Sequence, residues 1–227
     1  MAVIAVGTGN DWIRMFGLPT RYAEAIRAIK EGYTFLQDVA AVEYEESMYR
    51  QVRYVANVAG VGFDAAVIRN MQHSAYKKKF GATAYLFTLM RAFFKYKSTG
   101  VKLWVDDRLV YNNLLLSIAI GVGRYNGGGI QQLPEAVVDD GLLDLTLIRP
   151  LHWWNIIFRL KRLFNGNIYT IGHVDHAQAK RVRIESSPEI CLEVDGELLG
   201  NTPIEIRTIP RAVRVVVNRS YLAKLIK

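Results

Sequence analysis

The chain has 227 residues, about half of them apolar, which is enough to bury a sizeable core and excludes a disordered or low-complexity protein. Its 29 basic residues outnumber 21 acidic ones for a net charge of +8, a balance that favours anionic partners such as nucleotides and lipid headgroups. No run of eighteen apolar residues and no secretory pattern occurs, and the single cysteine, Cys191, excludes an intramolecular disulfide and a multi-Cys metal site, as suits a reducing cytoplasm.

In chain order, Ala2–Val6 is a continuous apolar run ending in Gly7, the pattern of a parallel strand buried on both faces. Asp11 opens a short helix through Phe16, stopped by Gly17 and Pro19. Thr20 caps a second helix with Tyr22, Ala25, Ile26 and Ile29 on one face and Gly32 after its end. From Thr34 the pattern changes to strands: Phe35–Tyr44 and Gln51–Val58 around a polar Glu45–Arg50 turn. Asp64–Met71 and Gly81–Tyr96 are expected helices, the latter with Tyr85, Leu89, Ala92, Phe93 and Tyr96 on one side. Val101–Val105 and Leu109–Tyr111 flank an Asp106-Asp107-Arg108 hairpin turn, and Leu114–Gly121 and Leu142–Ile148 are strands. Leu151–Asn165 is an amphipathic helix, followed by strands at Val182–Glu185, Glu189–Val194, Ile204–Thr208 and Ala212–Val217. Cys191 falls in one of these and is expected in the core.

The fold class that follows is an α/β remnant of a nucleotide-binding domain (residues 1–33) and then a mainly antiparallel β-sandwich domain with inserted helices (residues 34–227). A buried strand is an unusual way for a domain to begin, so an upstream part is expected, and an exposed strand edge there could drive homo-oligomer formation.

Several segments could carry chemistry. Gly7-Thr8-Gly9-Asn10-Asp11 joins a strand to a helix, where glycines permit close approach and free amides favour phosphate; a plain turn capped by Asp11 fits equally. Gly127-Gly128-Gly129 is either a flexible loop or the wall of a cleft. Val137-Val138-Asp139-Asp140-Gly141-Leu142 is a turn whose carboxylates and carbonyls also suit a hard divalent cation. Asp195-Gly196-Glu197 is a hairpin turn, or two carboxylates able to orient a hydroxyl and take its proton. His173, Asp175 and His176 are a weak metal cluster. In Leu151–Asn165, Trp154 and Phe158 lie beside Arg159, Lys161 and Arg162, which suits a membrane interface as well as a solvated basic face. Without an RNP-like motif or helix-turn-helix, no nucleic acid is expected as partner.

Together these segments resemble the bacterial diacylglycerol kinase and lipid kinase family. Gly7-Thr8-Gly9-Asn10-Asp11 matches its Pro-x-Gly-Thr-x-Asn-Asp element, with Ala5 in place of the proline. Asn57–Ala65 is similar to its second-domain signature, Gly127–Gly129 through Leu142 to the next, and Asp195-Gly196-Glu197 to the last. The resemblance implies transfer of the ATP γ-phosphate to the hydroxyl of diacylglycerol or a related lipid, with Mg2+. It implies that Gly7, Thr8, Asn10 and Asp11 face ATP, that Asp140 with the carbonyls of Val137 and Leu142 holds metal, and that Glu197, beside Asp195, accepts the proton. It implies a cytoplasmic protein, peripheral at the inner membrane face and drawn to anionic lipids. The family's Gly-Gly-Asp-Gly-Thr phosphate loop does not occur in these residues, so little or no activity is expected of this polypeptide alone. A non-catalytic lipid-binding or scaffold domain and a kinase for a soluble acceptor are the alternatives.

Overall fold

The structure is a computed structural model that describes residues 1–7, 9–47, 49–72 and 91–225. Among the described residues the main element is one curled antiparallel sheet of eleven strands. Its centre is β13 (Glu197–Val216), which carries β1 (Thr34–Glu46) along one edge. The other edge of β13 divides. Residues near its start pair with β12 (Cys191–Val194), and Ile204–Arg207 pair with β11 (Arg181–Ser187). From β12 the sheet continues through β3 (Val58–Gly62), β6 (Ser117–Gly121), β9 (Leu143–Ile148) and β10 (Val174–Ala179). From β11 it continues through β4 (Thr99–Val105) and β5 (Arg108–Leu115). β2 (Tyr49–Val55) lies outside β1, and β7 (Tyr125–Asn126) and β8 (Ile130–Gln131) pair with each other in a separate two-stranded sheet. Val42, Ile118, Leu143, Ile184, Leu192 and Ile206, drawn from all these branches, share one core. The β-sandwich-like architecture with inserted helices expected from alternating apolar strands is therefore present, because each branch buries one face against the other.

The sequence reading ends one strand at Thr208 and starts the next at Ala212, with Pro210 between them. The structure runs the strand through it. Register with β1 shifts between Gln37 and Val39, and Asp38 fills the gap. Its carboxylate accepts the Arg211 N–H at 2.6 Å and the Gly141 N–H at 2.7 Å, and its own N–H donates to the Val138 carbonyl. A fully buried side chain thus replaces the ladder partner that the bulge removes.

Four other expectations change. Ala2–Val6 is not a strand: Ala5 is buried, but Val6 is 83% exposed. Of this N-terminal segment the end of β13 bonds only Met1, whose carbonyl accepts the Val216 N–H at 2.8 Å, and among the described residues Ala2–Val6 join no ladder. The second helix, α2 (Tyr22–Glu31), starts after Arg21 and ends at Gly32, whose φ of 72° suits glycine. It buries Ala25 and Ala28, leaving Tyr22 and Ile26 exposed, because the small alanines let the helix approach closely. Cys191 is half-buried, not core. It lies on the face of β12 opposite Leu192, with its Sγ 3.0 Å from Asn201 Oδ1. His176 stacks on Tyr169 at 4.2 Å and Asp175 pairs with Arg149 at 3.1 Å, so these side chains serve packing and ion pairing.

α1 (Asp11–Met15) and α3 (Phe63–Gln72) fall where expected, as does the helix Trp153–Phe164. Of Gly81–Tyr96, residues 91–95 are helical and the stretch with Tyr85 and Leu89 lies outside the described residues. Among the described residues no helix is long and apolar enough to cross a membrane.

Candidate active site

The motif segments, far apart in sequence, are joined by one polar network. Asn57 is its hub. Its carbonyl accepts the Val122 and Gly123 N–H groups at 3.0 and 3.1 Å, and its Nδ2 donates to the Tyr125 carbonyl at 2.8 Å. A Cβ on Gly121 or Gly123 would collide with Asn57, so glycine is required at both.

Asp195 closes the network from the other side. Its backbone sits at an exposed turn with φ 50°, but its carboxylate turns inward onto three amides: Ala56 at 2.9 Å, Asn57 at 3.1 Å and Val58 at 3.0 Å. Burial raises its carboxyl above the usual range, and the three N–H donors oppose that rise. With its lone pairs so engaged, Asp195 positions the 195–197 turn. Glu197, two residues on, is exposed and pairs with Arg53. Of the two acids in the motif, Glu197 has the exposed carboxylate, and its Oε2 is the oxygen engaged by Arg53.

The glycine loop is held by the N-terminal motif. Gly127, Gly128 and Gly129 all have positive φ. Asp11 Oδ2 accepts the Gly128 N–H at 2.7 Å, while Arg14 lies 3.7 Å from Oδ1. Burial raises the Asp11 carboxyl, against the pull of the Gly128 N–H and Arg14. Asn10, at φ 52°, ties its Nδ2 to the Gly7 carbonyl at 2.8 Å. Asp11 is therefore brought to the glycine loop, and Asn10 beside it ties to the exposed Gly7. Thr8 lies outside the described residues.

Beneath both turns lies a carboxylate pair that sequence patterning did not reveal. Glu193 is fully buried on β12 and Asp64 starts α3. An ideal Cβ on Gly60 would lie 2.7 Å from Glu193 Oε1 and 2.9 Å from Asp64 Cβ, so both acids crowd the space that this glycine leaves. Glu193 Oε2 accepts the Gly196 N–H at 3.0 Å. Asp64 accepts from Gln132 at 3.0 Å, and Gln132 Oε1 accepts from Asn126 at 2.9 Å. Burial, then the Asp64 charge, pushes Glu193 up to about 8; the Gly196 N–H and Asn126 oppose this, and Asp195 adds to it. Burial likewise raises Asp64, against Gln132 and Ser117.

The Asp140 loop joins the network through β1. Gln37, also buried, accepts from Trp12 Nε1 at 3.1 Å and donates to the Ala56 carbonyl, next to Asp38 with its hold on Gly141. One Asp140 oxygen accepts the Leu142 N–H at 3.0 Å. Burial raises the neighbouring Asp139, and the charges of Asp38 and Asp140 add to it. Asp139 and Asp140 are oxygen donors of the type that suits a hard divalent cation. Among the described residues no three acidic, His or Cys side chains are grouped to hold a metal.

Residues 57–217 match the family model described as the YegS C-terminal NAD kinase beta sandwich-like domain. The chain belongs to that family. It is 29% identical over 217 residues to a protein named "Probable lipid kinase YegS-like" from Pseudomonas syringae pv. syringae, covering 95% of this chain and 66% of the relative. It is 27% identical to a protein named "Diacylglycerol kinase" from Mycobacterium tuberculosis, covering 95% of this chain and 68% of the relative. A crystal structure of a diacylglycerol kinase from Bacillus anthracis superposes with a TM-score of 0.65 at 20% identity, over 97% of this chain and 67% of that one, which speaks for the fold. The chain thus spans about two thirds of the length of the curated relatives it matches.

Proposed function

We propose that these residues form the acceptor side of an ATP-dependent lipid kinase that phosphorylates diacylglycerol or a related single-hydroxyl lipid. Residues 1–33 belong, in this proposal, to the nucleotide-binding domain and residues 34–227 to the acceptor domain. The observation that carries the reading is the hydrogen-bonded convergence of Gly7–Asp11, Asn57, Gly127–Gly129 and the Asp195–Glu197 turn. Names borne by the relatives supply the substrate class.

In the reaction, the lipid hydroxyl approaches Glu197, which accepts its proton as the new O–P bond forms and the bond from the γ-phosphorus to the bridging oxygen of ADP breaks. Asp195 and Glu193 hold the turn that aims Glu197. Gly7, Thr8, Asn10 and Asp11 border the nucleotide, and the Gly127–Gly129 backbone walls the cleft. Asp140, with the carbonyls of Val137 and Leu142, would hold Mg2+, which would supply charge neutralisation and order to the loop. The family's Gly-Gly-Asp-Gly-Thr segment is absent from these 227 residues, and the chain alone turns over little. The alternative is a non-catalytic lipid-binding or scaffold domain of the same fold.

Radiolabelled ATP offered with diacylglycerol, sphingosine and NAD decides among these, using the chain alone and the chain supplied with a nucleotide domain bearing that segment. Label is expected in a lipid product of the supplemented protein and nearly none with the chain alone. Label on NAD would assign a soluble acceptor, and label on nothing would favour the scaffold.

A further inference from the structure

The basic residues are spread along the chain, but the acidic ones are not. None of the 21 acids falls in residues 65–105 or 145–174, while 12 of the 29 bases do. These 71 residues carry +12 and the other 156 carry −4. Described residues of the two stretches meet: Val67, Ala92, Phe93 and Tyr96 of the first pack in one cluster with Ile148 and Leu151 of the second. Among the described residues the exposed Phe and Trp side chains, Phe94, Trp154, Phe158 and Phe164, all lie on the same two stretches, and the exposed Tyr22, Tyr49 and Tyr54 lie elsewhere. Trp154 is 53% and Phe158 79% exposed, one helical turn apart, with rings stacked at 6.3 Å. Phe94 is 63% exposed. Lys95, Lys97 and Lys161 are exposed beside them. Single exposed aromatics are ordinary, but a stacked pair on an acid-free helix with Arg159 and Lys161 has the composition of an element that lies in a lipid interface.

We infer that the face formed by Phe94–Lys97 and the helix Trp153–Phe164 docks on an anionic phospholipid bilayer, with Trp154 and Phe158 entering the headgroup layer and the surrounding bases meeting lipid phosphates. The choice of a bilayer over other polyanions rests on the lipid-acceptor reading above. Phe158 supplies the apolar contact that a purely electrostatic partner would not need, and the bases supply selectivity for negative headgroups.

The test is sedimentation of the 227-residue chain with vesicles of phosphatidylcholine alone or mixed with phosphatidylglycerol. Binding is expected to the mixed vesicles and to weaken with added salt. Phe158→Ser should reduce it by about tenfold or more, and Lys97→Gln and Lys161→Gln by about fivefold each, with the thermal melt of each variant unchanged. Failure to bind mixed vesicles, or equal binding by Phe158→Ser, overturns the inference. So does tighter retention of single-stranded RNA that Phe158→Ser abolishes, which would make the face a nucleic-acid surface. Failure of the kinase reading is distinguishable: the supplemented protein would then bind vesicles yet phosphorylate no lipid. Conversely, turnover on micellar diacylglycerol by a protein that ignores vesicles would remove the docking face alone.

Discussion

At about pH 9 the Glu193→Gln variant should be more stable than the parent chain by several kcal/mol, while near pH 5 the two should be almost level. Folding raises the Glu193 carboxyl from 4.5 to about 8, chiefly by burial and then by the Asp64 charge. The folded state therefore holds this proton more tightly than the unfolded state. Stability is fully present below about 4.5 and is lost progressively as pH rises through about 8, when a charge must be buried beside Asp64. The difference, 8 − 4.5 = 3.5 units, corresponds to something on the order of 5 kcal/mol. Glutamine mimics the neutral acid, still accepts the Gly196 N–H, and has no proton to lose. Urea unfolding at the two pH values measures this directly. A variant-to-parent difference that does not change with pH would mean that Glu193 is not protonated in the fold.

Asp195→Ala should cost about 3–5 kcal/mol, because it leaves the Ala56, Asn57 and Val58 amides without their acceptor. Asp195→Asn should cost less: asparagine tolerates the positive φ and keeps one acceptor oxygen. Amide exchange at Ala56–Val58 should speed up more than exchange in β9 or β10. Uniform acceleration across the sheet would assign Asp195 to general stability, not to the 195–197 turn.

The strand pattern of β1, β4, β9 and β11 was legible because each alternates or runs apolar between polar turns, and the hairpin at Asp106-Asp107 carries two residues that tolerate positive φ. The motif segments were legible as glycine- and acid-rich interruptions. What escaped was polar residues buried within strands. Gln37 and Asp38 lie in an otherwise apolar strand, and Glu193 occupies an alternating position that normally faces water. Each is buried only because another element covers it: the bulge of β13 for Asp38, and the start of α3 for Glu193. Such long-range cover leaves no local sequence signal. The Ala2–Val6 expectation failed for the same reason, since an apolar run becomes a strand only where a neighbour accepts its hydrogen bonds.

The division of labour between Asp195 and Glu197 is the most exposed element of the functional reading. It is tested by transfer of labelled phosphate to diacylglycerol, using the chain supplied with a nucleotide domain. Glu197→Gln should lower kcat by about 10²–10⁴-fold, the usual contribution of a general base, and leave KM for the lipid little changed. Turnover near the parent rate in Glu197→Gln would contradict the assignment of Glu197 as proton acceptor.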